Sequence, residues 1–164
     1  MITLKPEPLT KTSFAPFGDV IEIEGAQHYP INQGFAERFN DLARVDVGEV
    51  NISIVSADPR PKPIALKLME RHPLGSQIFY PLQDRPWLVV VCVEPHDAKS
   101  FRVFRATGRQ GINYARNTWH FPLLVLEAES HFLVVDRKGP GSNLEEMRID
   151  EIRLDLPQFY GSNA

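Results

Sequence analysis

Residues 64–72 read Ile-Ala-Leu-Lys-Leu-Met-Glu-Arg-His, a run with the composition of a β-strand that ends in three polar side chains. Alternate side chains of a strand share one face, so Leu66 and Leu68 are expected to point into the core. Glu70 and His72 continue that same face toward the end of the strand. Inside a barrel a carboxylate and an imidazole are costly unless they are paired, bound to metal or reached by water.

Outside this run, the chain consists mainly of short apolar segments separated by prolines and other turn residues. This pattern favours a β-sandwich or barrel over βαβ units, because no helical segment is long enough to cross between parallel strands. Short helices are predicted only at Thr10–Ala15, with Thr10 as N-cap, and at Phe35–Ala43. The predicted strands are Asp19–Ile23, Val50–Ser56, Ile64–Glu70, Gln77–Tyr80, Trp87–Val93, Phe101–Arg105, His120–Glu127, His131–Asp136 and Ile149–Leu154.

A second segment, residues 111–122, reads Gly-Ile-Asn-Tyr-Ala-Arg-Asn-Thr-Trp-His-Phe-Pro. Asn117 tolerates positive φ, so it suits a turn before the next strand. Trp119 and Phe121 flank His120, and strand alternation therefore separates the imidazole from these large apolar neighbours. His120 is either a metal ligand or base that joins Glu70 and His72, or a core-edge histidine bonded to a backbone carbonyl.

Other polar residues near these segments each have two interpretations. Gln77 follows the turn after His72, and it either faces His72 across a hairpin or is an ordinary strand residue. Arg116 either binds a substrate carboxylate through two hydrogen bonds or is simply solvated. Asp136 could orient a catalytic base, although an Asp before a glycine-containing turn needs only turn chemistry to explain it.

Composition limits the kind of protein this is. Its 164 residues predict a single domain, residues 1–164, and the net charge of −3 with no dense basic run argues against nucleic acid or an anionic membrane as partner. No apolar stretch approaches a membrane span, and the N-terminal residues lack the apolar core of a signal peptide. Cys92 is the only cysteine, which excludes an internal disulfide. We therefore expect a cytoplasmic location.

Two levels of family resemblance emerge at these residues. The spacing of Glu70, His72 and Gln77 resembles the first cupin motif, and the spacing of Ala115, Asn117 and His120 resembles the second, each with substitutions. A closer resemblance, to the ureidoglycolate lyase family, covers nearly the whole chain as separate segments in the same order. These segments are residues 14–21, 37–43, 70–75, 110–114, 116–117 with 119–120, and 132–137.

The resemblance to this family implies a fold, an activity and an assembly. The fold would be an all-β, cupin-like antiparallel barrel of the jelly-roll kind, with a few short helices, and the protein would be a homodimer. The activity would be that of a carbon–nitrogen lyase, which splits ureidoglycolate into glyoxylate and urea during allantoin degradation. Nickel or another divalent metal is associated with the family, without an organic cofactor.

The same resemblance suggests roles for the polar residues. Glu70, His72 and His120 would be the catalytic groups, and with Gln77 they would also be the metal ligands. Gln77 and Tyr114 would bind the ureido group of this small-molecule substrate. Arg116 or Arg38 would hold its carboxylate. Two alternatives stay open: a barrel that binds a small ligand without catalysis, and a hydrolase that releases ammonia instead of urea.

Overall fold

Strands make up nearly all the regular structure in a computed structural model, which describes residues 2–157. The prediction of an all-β fold with a few short helices is confirmed. A single α-helical turn in the described residues, α1, covers Lys11–Phe14, and 3-10 turns cover Asn32–Gly34 and Ala98–Ser100. The strands are β1 (Ile2–Leu4), β2 (Glu7–Pro8), β3 (Gly18–Ile21), β4 (Gln27–Ile31), β5 (Ala36–Asn40), β6 (Glu49–Ala57), β7 (Ala65–Arg71), β8 (Gln77–Pro81), β9 (Trp87–Cys92), β10 (Phe101–Ala106), β11 (Gly111–Tyr114), β12 (Trp119–His120), β13 (Leu124–Val125), β14 (Ser130–Lys138) and β15 (Glu145–Leu154).

In the described part of the chain the strands form two large sheets and one small one. The eight-stranded sheet has the order β1-β15-β7-β12-β9-β10-β2, with β13 also paired to β9. The five-stranded sheet has the order β3-β11-β8-β14-β6, and β4 and β5 form a separate hairpin. Most pairs are antiparallel, and the two parallel pairs, β1 with β15 and β2 with β10, are short. The barrel is therefore built from two sheets that face each other.

The main core lies between the two large sheets. Val89 and Val91 contribute from the eight-stranded sheet, and Ile112, Phe132 and Val134 contribute from the five-stranded sheet. All five are nearly inaccessible to solvent. Burial of side chains of this size supplies roughly 1.5–3 kcal/mol each, so this interior is a rigid support for any group at its edge.

A second buried cluster lies on the other face of the eight-stranded sheet, where Leu88, Val90 and Cys92 alternate with the interior residues. Leu66 and Met69 of β7 both belong to this outer cluster, whereas Leu68 is only partly buried. The simple alternation expected along residues 64–72 therefore does not hold for the leucines. The register between β7 and β15 shifts between Arg148 and Ile152, so the pairing of these strands is irregular over this part of β7.

The helical turn α1 agrees with the prediction at residues 10–15. The Thr10 side chain accepts a hydrogen bond from the Ser13 backbone, and the Ser13 side chain accepts one from the Thr10 backbone. This reciprocal cap satisfies two amides that a helix start leaves free. It fixes Phe14, which is fully buried in the interior cluster.

The helix predicted at Phe35–Ala43 is wrong. Residues 36–40 form β5, which pairs with β4 in an exposed hairpin. Apolar residues at Phe35 and Phe39 fit a helical spacing of four, but Asn32 and Gln33 adopt positive φ and Gly34 follows them, so the chain reverses direction there. Within residues 2–157, no helix has the length and apolar character needed to cross a membrane.

Candidate active site

Glu70 of β7 and His120 of β12 are directly paired across two neighbouring strands. Their side chains point to the barrel interior, and Glu70 Oε1 lies 3.4 Å from His120 Nε2. The His120 side chain is 2% exposed and that of Glu70 is 19% exposed. Ligand atoms of Glu70, His72 and His120 all lie within 4.8 Å of one another. Three residues predicted for the site thus meet at one point.

His72 follows the last residue of β7, and an asparagine from the β14–β15 connection holds it in place. Its Nδ1 lies 2.7 Å from the backbone oxygen of Asn143. The side-chain oxygen of Asn143 also accepts a hydrogen bond from the Leu74 backbone, at 2.8 Å. Asn143 thus holds the His72 ring through its backbone and the following turn through its side chain. The centroid of the His72 ring lies 5.1 Å from that of His120.

The turn between β11 and β12 fixes His120. Asn117 adopts φ of 66°, as the sequence suggested, and its backbone N–H donates to the His72 carbonyl at 3.0 Å. His120 Nδ1 lies 2.9 Å from the carbonyl oxygen of Thr118. Since both histidines place Nδ1 against a carbonyl oxygen, Nδ1 carries the proton in each neutral ring. The lone pair then resides on Nε2, the nitrogen that faces the cluster.

Tyr114 lies across the barrel from the eight-stranded sheet and stacks on His120. The ring centroids are 4.1 Å apart and the interplanar angle is 14°. Burial raises the pKa of the Tyr114 phenol far above its ordinary range, and the negative charge of Glu70 adds to that effect. Tyr114 therefore stays protonated at neutral pH, so its hydroxyl can donate a hydrogen bond but cannot act as a base.

The charge state of Glu70 results from opposing effects. Burial alone raises the pKa of Glu70, but contact with His120 and the charges of His120, His72 and Arg60 outweigh it, so its pKa is lowered from the ordinary 4.5. Glu70 is consequently ionised at neutral pH. Arg60 was not among the residues predicted for the site. It lies in the loop before β7, with its guanidinium carbon 4.7 Å from the centre of the Phe121 ring.

Gln77 begins β8 and is paired with Tyr114 of β11, so both side chains face the barrel interior. Its Nε2 donates to Asp136 Oδ2 at 3.2 Å, and Asn51 Nδ2 donates to Asp136 Oδ1 at 3.0 Å. Asp136 lies within β14 and not in a turn, so turn chemistry does not account for it. The sequence singled out Gln77 and Asp136 separately, and the structure joins them.

The two arginines predicted for substrate binding lie elsewhere. Arg116 is exposed on the turn after β11 and pairs with Asp46, with 3.1 Å between its terminal nitrogen and Oδ1. Arg38 is exposed on β5 of the hairpin. Asn143, which fixes His72, gave no signal in the sequence because its role depends on a backbone carbonyl in a distant loop.

The cluster fits a divalent metal by its donor chemistry. Nε2 of both histidines is buried and has no hydrogen-bond partner within residues 2–157, and Glu70 supplies an ionised oxygen beside them. Buried nitrogens with lone pairs need a partner, and two imidazoles with a carboxylate suit nickel, zinc, iron or manganese. The carbonyls on the two Nδ1 atoms supply the outer hydrogen bonds that metal-binding histidines ordinarily make.

Comparison with known sequences decides the family. Residues 1–155 match the family described as ureidoglycolate lyase. This chain belongs to the ureidoglycolate lyase family. Ureidoglycolate lyase 1 of Rhizobium meliloti strain 1021 is 56% identical over 153 residues, which is 90% of each chain. The ureidoglycolate lyases of Brucella ovis and Burkholderia mallei strain NCTC 10229 are 54% and 49% identical, over 88% and 92% of each chain. The protein is thus similar to ureidoglycolate lyases along almost its full length.

Solved structures resemble this ureidoglycolate lyase family member only distantly. A mutant of Bacillus subtilis oxalate decarboxylase OxdC matches 60% of this chain and 23% of its own, with a TM-score of 0.42 and 12% identity. A dTDP sugar isomerase from Desulfovibrio desulfuricans G20 matches 78% of this chain and 85% of its own, with a TM-score of 0.40 and 19% identity.

Proposed function

We propose that this protein is a carbon–nitrogen lyase that splits ureidoglycolate into glyoxylate and urea. The observation that carries the proposal is the meeting of Glu70, His72 and His120 within 4.8 Å in a chain of the ureidoglycolate lyase family. A pair of imidazoles beside an ionised carboxylate can move protons in both directions at neutral pH. The reaction needs that capability, because one proton leaves the substrate and another must be returned.

The chemistry can be followed atom by atom. Ureidoglycolate carries a hydroxyl, a carboxylate and a ureido nitrogen on one carbon. A base takes the hydroxyl proton, the oxygen electrons form the carbonyl of glyoxylate, and the carbon–nitrogen bond breaks with its electron pair going to nitrogen. An acid protonates that nitrogen, and urea departs. One general base and one general acid, each worth about 10²–10⁴ in rate, therefore suffice.

Nε2 of each histidine is the atom available for proton transfer, because Nδ1 is already hydrogen-bonded to a carbonyl oxygen. An imidazolium at His120 would form an ion pair with Glu70 Oε1, 3.4 Å away. This arrangement favours His120 as the acid for the departing nitrogen and His72 as the base for the hydroxyl. Glu70 stays ionised and acts by its charge.

The alternative that we propose for the same cluster is a divalent metal, with nickel as one candidate. It would occupy the two Nε2 atoms and would therefore replace direct proton transfer by the histidines. Glu70, His72 and His120 would hold it, and Gln77 would be a further oxygen ligand. When bound, such a metal would polarise the substrate hydroxyl and lower the cost of removing its proton. The amide oxygen of Gln77 is neutral and a weaker donor than a carboxylate, so we expect modest affinity for the metal.

Substrate recognition requires donors and acceptors for the ureido group and a cation for the carboxylate. Gln77 and Tyr114 are proposed for the ureido group, since both line the interior beside His120. Arg116 and Arg38 remain proposals for the carboxylate, and Arg60 joins them because its charge acts on Glu70. The kinetics of alanine variants distinguish the three arginines.

Product analysis is the experiment that tests this function. Purified protein is given ureidoglycolate, and glyoxylate, urea and ammonia are measured against the spontaneous rate. Equal amounts of glyoxylate and urea are expected. Ammonia in place of urea would establish a hydrolase that attacks the ureido group, and saturable binding without turnover would establish a non-catalytic binding protein.

We also propose that residues 1–164 form one domain that acts as a homodimer in the cytoplasm. Support for a dimer comes from β6, which ends the five-stranded sheet and exposes Val50, Ile52 and Ile54 by 48%, 68% and 64%. A strand edge with an apolar outer face is a common site for self-association. Sedimentation of wild-type protein and of an Ile52→Lys, Ile54→Lys variant would test it, with a monomeric wild type counting against the proposal.

The proposed cytoplasmic location is supported by Cys92, because an unpaired buried thiol suits a reducing compartment.

A further inference from the structure

Four side chains form a continuous row across the inner face of the five-stranded sheet, at the end of the barrel that holds the histidines. Asn51 of β6 pairs with Asp136 of β14. Val135 pairs with Ile78, so the next residues in each strand, Asp136 and Gln77, also lie side by side. Gln77 in turn pairs with Tyr114, the residue that stacks on His120. The row therefore runs from the sheet edge to the catalytic cluster.

The hydrogen bonds of this row have a defined direction. A carboxylate accepts hydrogen bonds and cannot donate them, so Asp136 requires an N–H from each neighbour. Asn51 supplies one through Nδ2 at 3.0 Å, and Gln77 supplies the other through Nε2 at 3.2 Å. Because the nitrogen of Gln77 is committed to Asp136, its oxygen must point away from Asp136. Gln77 Oε1 is buried and has no hydrogen-bond partner within residues 2–157.

We propose that Asp136 is a positioning residue, which locks the carboxamide of Gln77 so that the site is offered an oxygen and never an N–H. The oxygen would accept a hydrogen bond from the ureido N–H of the substrate or serve as a ligand to a divalent cation. Asn51 fixes the Asp136 carboxylate by donating a hydrogen bond to its other oxygen. This inference rests on the proposed function for the identity of the ligand, but the locked carboxamide itself does not depend on that function.

The kinetics of three variants test which group donates and which accepts in the hydrogen bond between Gln77 and Asp136. Asp136→Asn keeps the volume but lets position 136 donate as well as accept, so Gln77 can turn over. We expect KM for ureidoglycolate to rise about tenfold with little change in kcat, because the lost contact is made in both ground and transition states. Gln77→Glu places two carboxylates together and should lower kcat/KM about 100-fold.

The decisive variant combines Gln77→Glu with Asp136→Asn, which exchanges the carboxylate and the amide. The amide at position 136 then donates to the carboxylate at position 77, and an oxygen again faces the site. We expect kcat/KM at least tenfold above that of Gln77→Glu alone, a non-additive rescue that two merely structural substitutions would not produce. Gln33→Glu and Asp84→Asn, both exposed, are the matched controls and should behave as wild type.

A spectroscopic measurement tests the lock without substrate. In ¹⁵N-labelled protein, the side-chain amide signal of Gln77 is assigned by its loss in Gln77→Glu. Its hydrogen-bonded proton should exchange slowly with solvent in the wild type and quickly in Asp136→Asn, with thermal melts confirming that both are folded. Slow exchange in a protein that releases no urea would support the lock and refute the proposed function. Fast exchange in the wild type, or no rescue in the combined variant, would overturn the inference.

Discussion

The phenol ring of Tyr114 lies almost parallel to the imidazole of His120, with 4.1 Å between ring centroids and 14° between planes. The two residues come from different sheets, so this contact joins the facing walls of the barrel at the active site. A hydrogen bond from Nδ1 to the Thr118 carbonyl fixes the same imidazole within its ring plane. Stacking and hydrogen bonding together leave His120 a single orientation.

Two substitutions separate the effect of the Tyr114 ring, which stacks on His120, from the effect of its hydroxyl. Tyr114→Phe keeps the stacked ring and removes the hydroxyl, so it should change the melting temperature little and raise KM if the hydroxyl binds the ureido group. Tyr114→Leu removes the flat ring and should also lower kcat, because His120 is no longer held. Steady-state kinetics and thermal melts of both variants check this, and equal kinetic loss in the two would exclude an orienting role for the ring.

The histidines should differ in their effect on stability and agree in their effect on catalysis. His72→Ala and His120→Ala are each expected to lower kcat/KM by about 10² or more, the usual scale for losing a proton-transfer group. His120 is 2% exposed, so its removal leaves a cavity and should also lower the melting temperature. His72 is only partly buried and should cost less stability. His96, exposed in a loop, supplies the control His96→Ala.

Glu70→Gln tests the charge of the carboxylate at constant shape. Folding lowers the pKa of Glu70, so its ionised form stabilises the fold at pH values above the ordinary 4.5. That contribution disappears as the pH falls through the lowered value. Glu70→Gln should therefore destabilise the protein at pH 7 and have little effect at pH 2–3, as urea titrations at both pH values would measure. A loss of stability that is greater in acid would contradict the assigned charge.

Removal of metal distinguishes a cluster that binds a divalent cation from one whose histidines transfer protons directly. Exhaustive chelation should lower activity if a divalent metal takes part, and nickel or manganese added back should restore it. Metal content is assayed in parallel, and calorimetric titration should show weaker binding in His72→Ala and His120→Ala than in the wild type. Full activity in metal-free protein would instead leave the histidines as direct proton-transfer groups.

The arginine that holds the substrate carboxylate is identified by comparing three alanine variants. Arg60→Ala should raise KM for ureidoglycolate about tenfold, because this charge acts at the cluster. Arg116→Ala mainly breaks an exposed pair with Asp46, and Arg38→Ala changes an exposed hairpin residue, so smaller effects are expected from both. A larger rise in KM for Arg116→Ala than for Arg60→Ala would reverse this order.

Local sequence was sufficient for most of the architecture. Short runs of β-branched and aromatic residues between prolines predicted most strands of both sheets, and Thr10 predicted the helical cap. The strands β1, β2 and β11 and the hairpin of β4 and β5 were missed. Residues 111–114 form only a short run that contains an asparagine, and β4 of the hairpin is exposed throughout, so neither of these segments has the apolar alternation on which strand prediction depends.

The site was predictable only as far as each residue carried its own signal. Glu70, His72 and His120 stood out because polar groups ended apolar runs, and they do converge. Asn143, Arg60 and the link between Asp136 and Gln77 depend on contacts between residues far apart in the chain. Such pairings are set by strand register and loop packing, which one sequence does not display. The expected inward alternation of Leu66 and Leu68 failed for the same reason.

β12 contains only two residues, Trp119 and His120, and lies between β7 and β9. Its neighbour Phe121 donates its backbone N–H to Val90 at 2.9 Å. A segment held by so few bonds can detach without the rest of the sheet unfolding, and any such opening would remove an imidazole from the cluster. A ligand that binds only the closed segment would stabilise it against this local opening. Deuterium uptake at residues 119–121 should therefore be slower when the site is occupied.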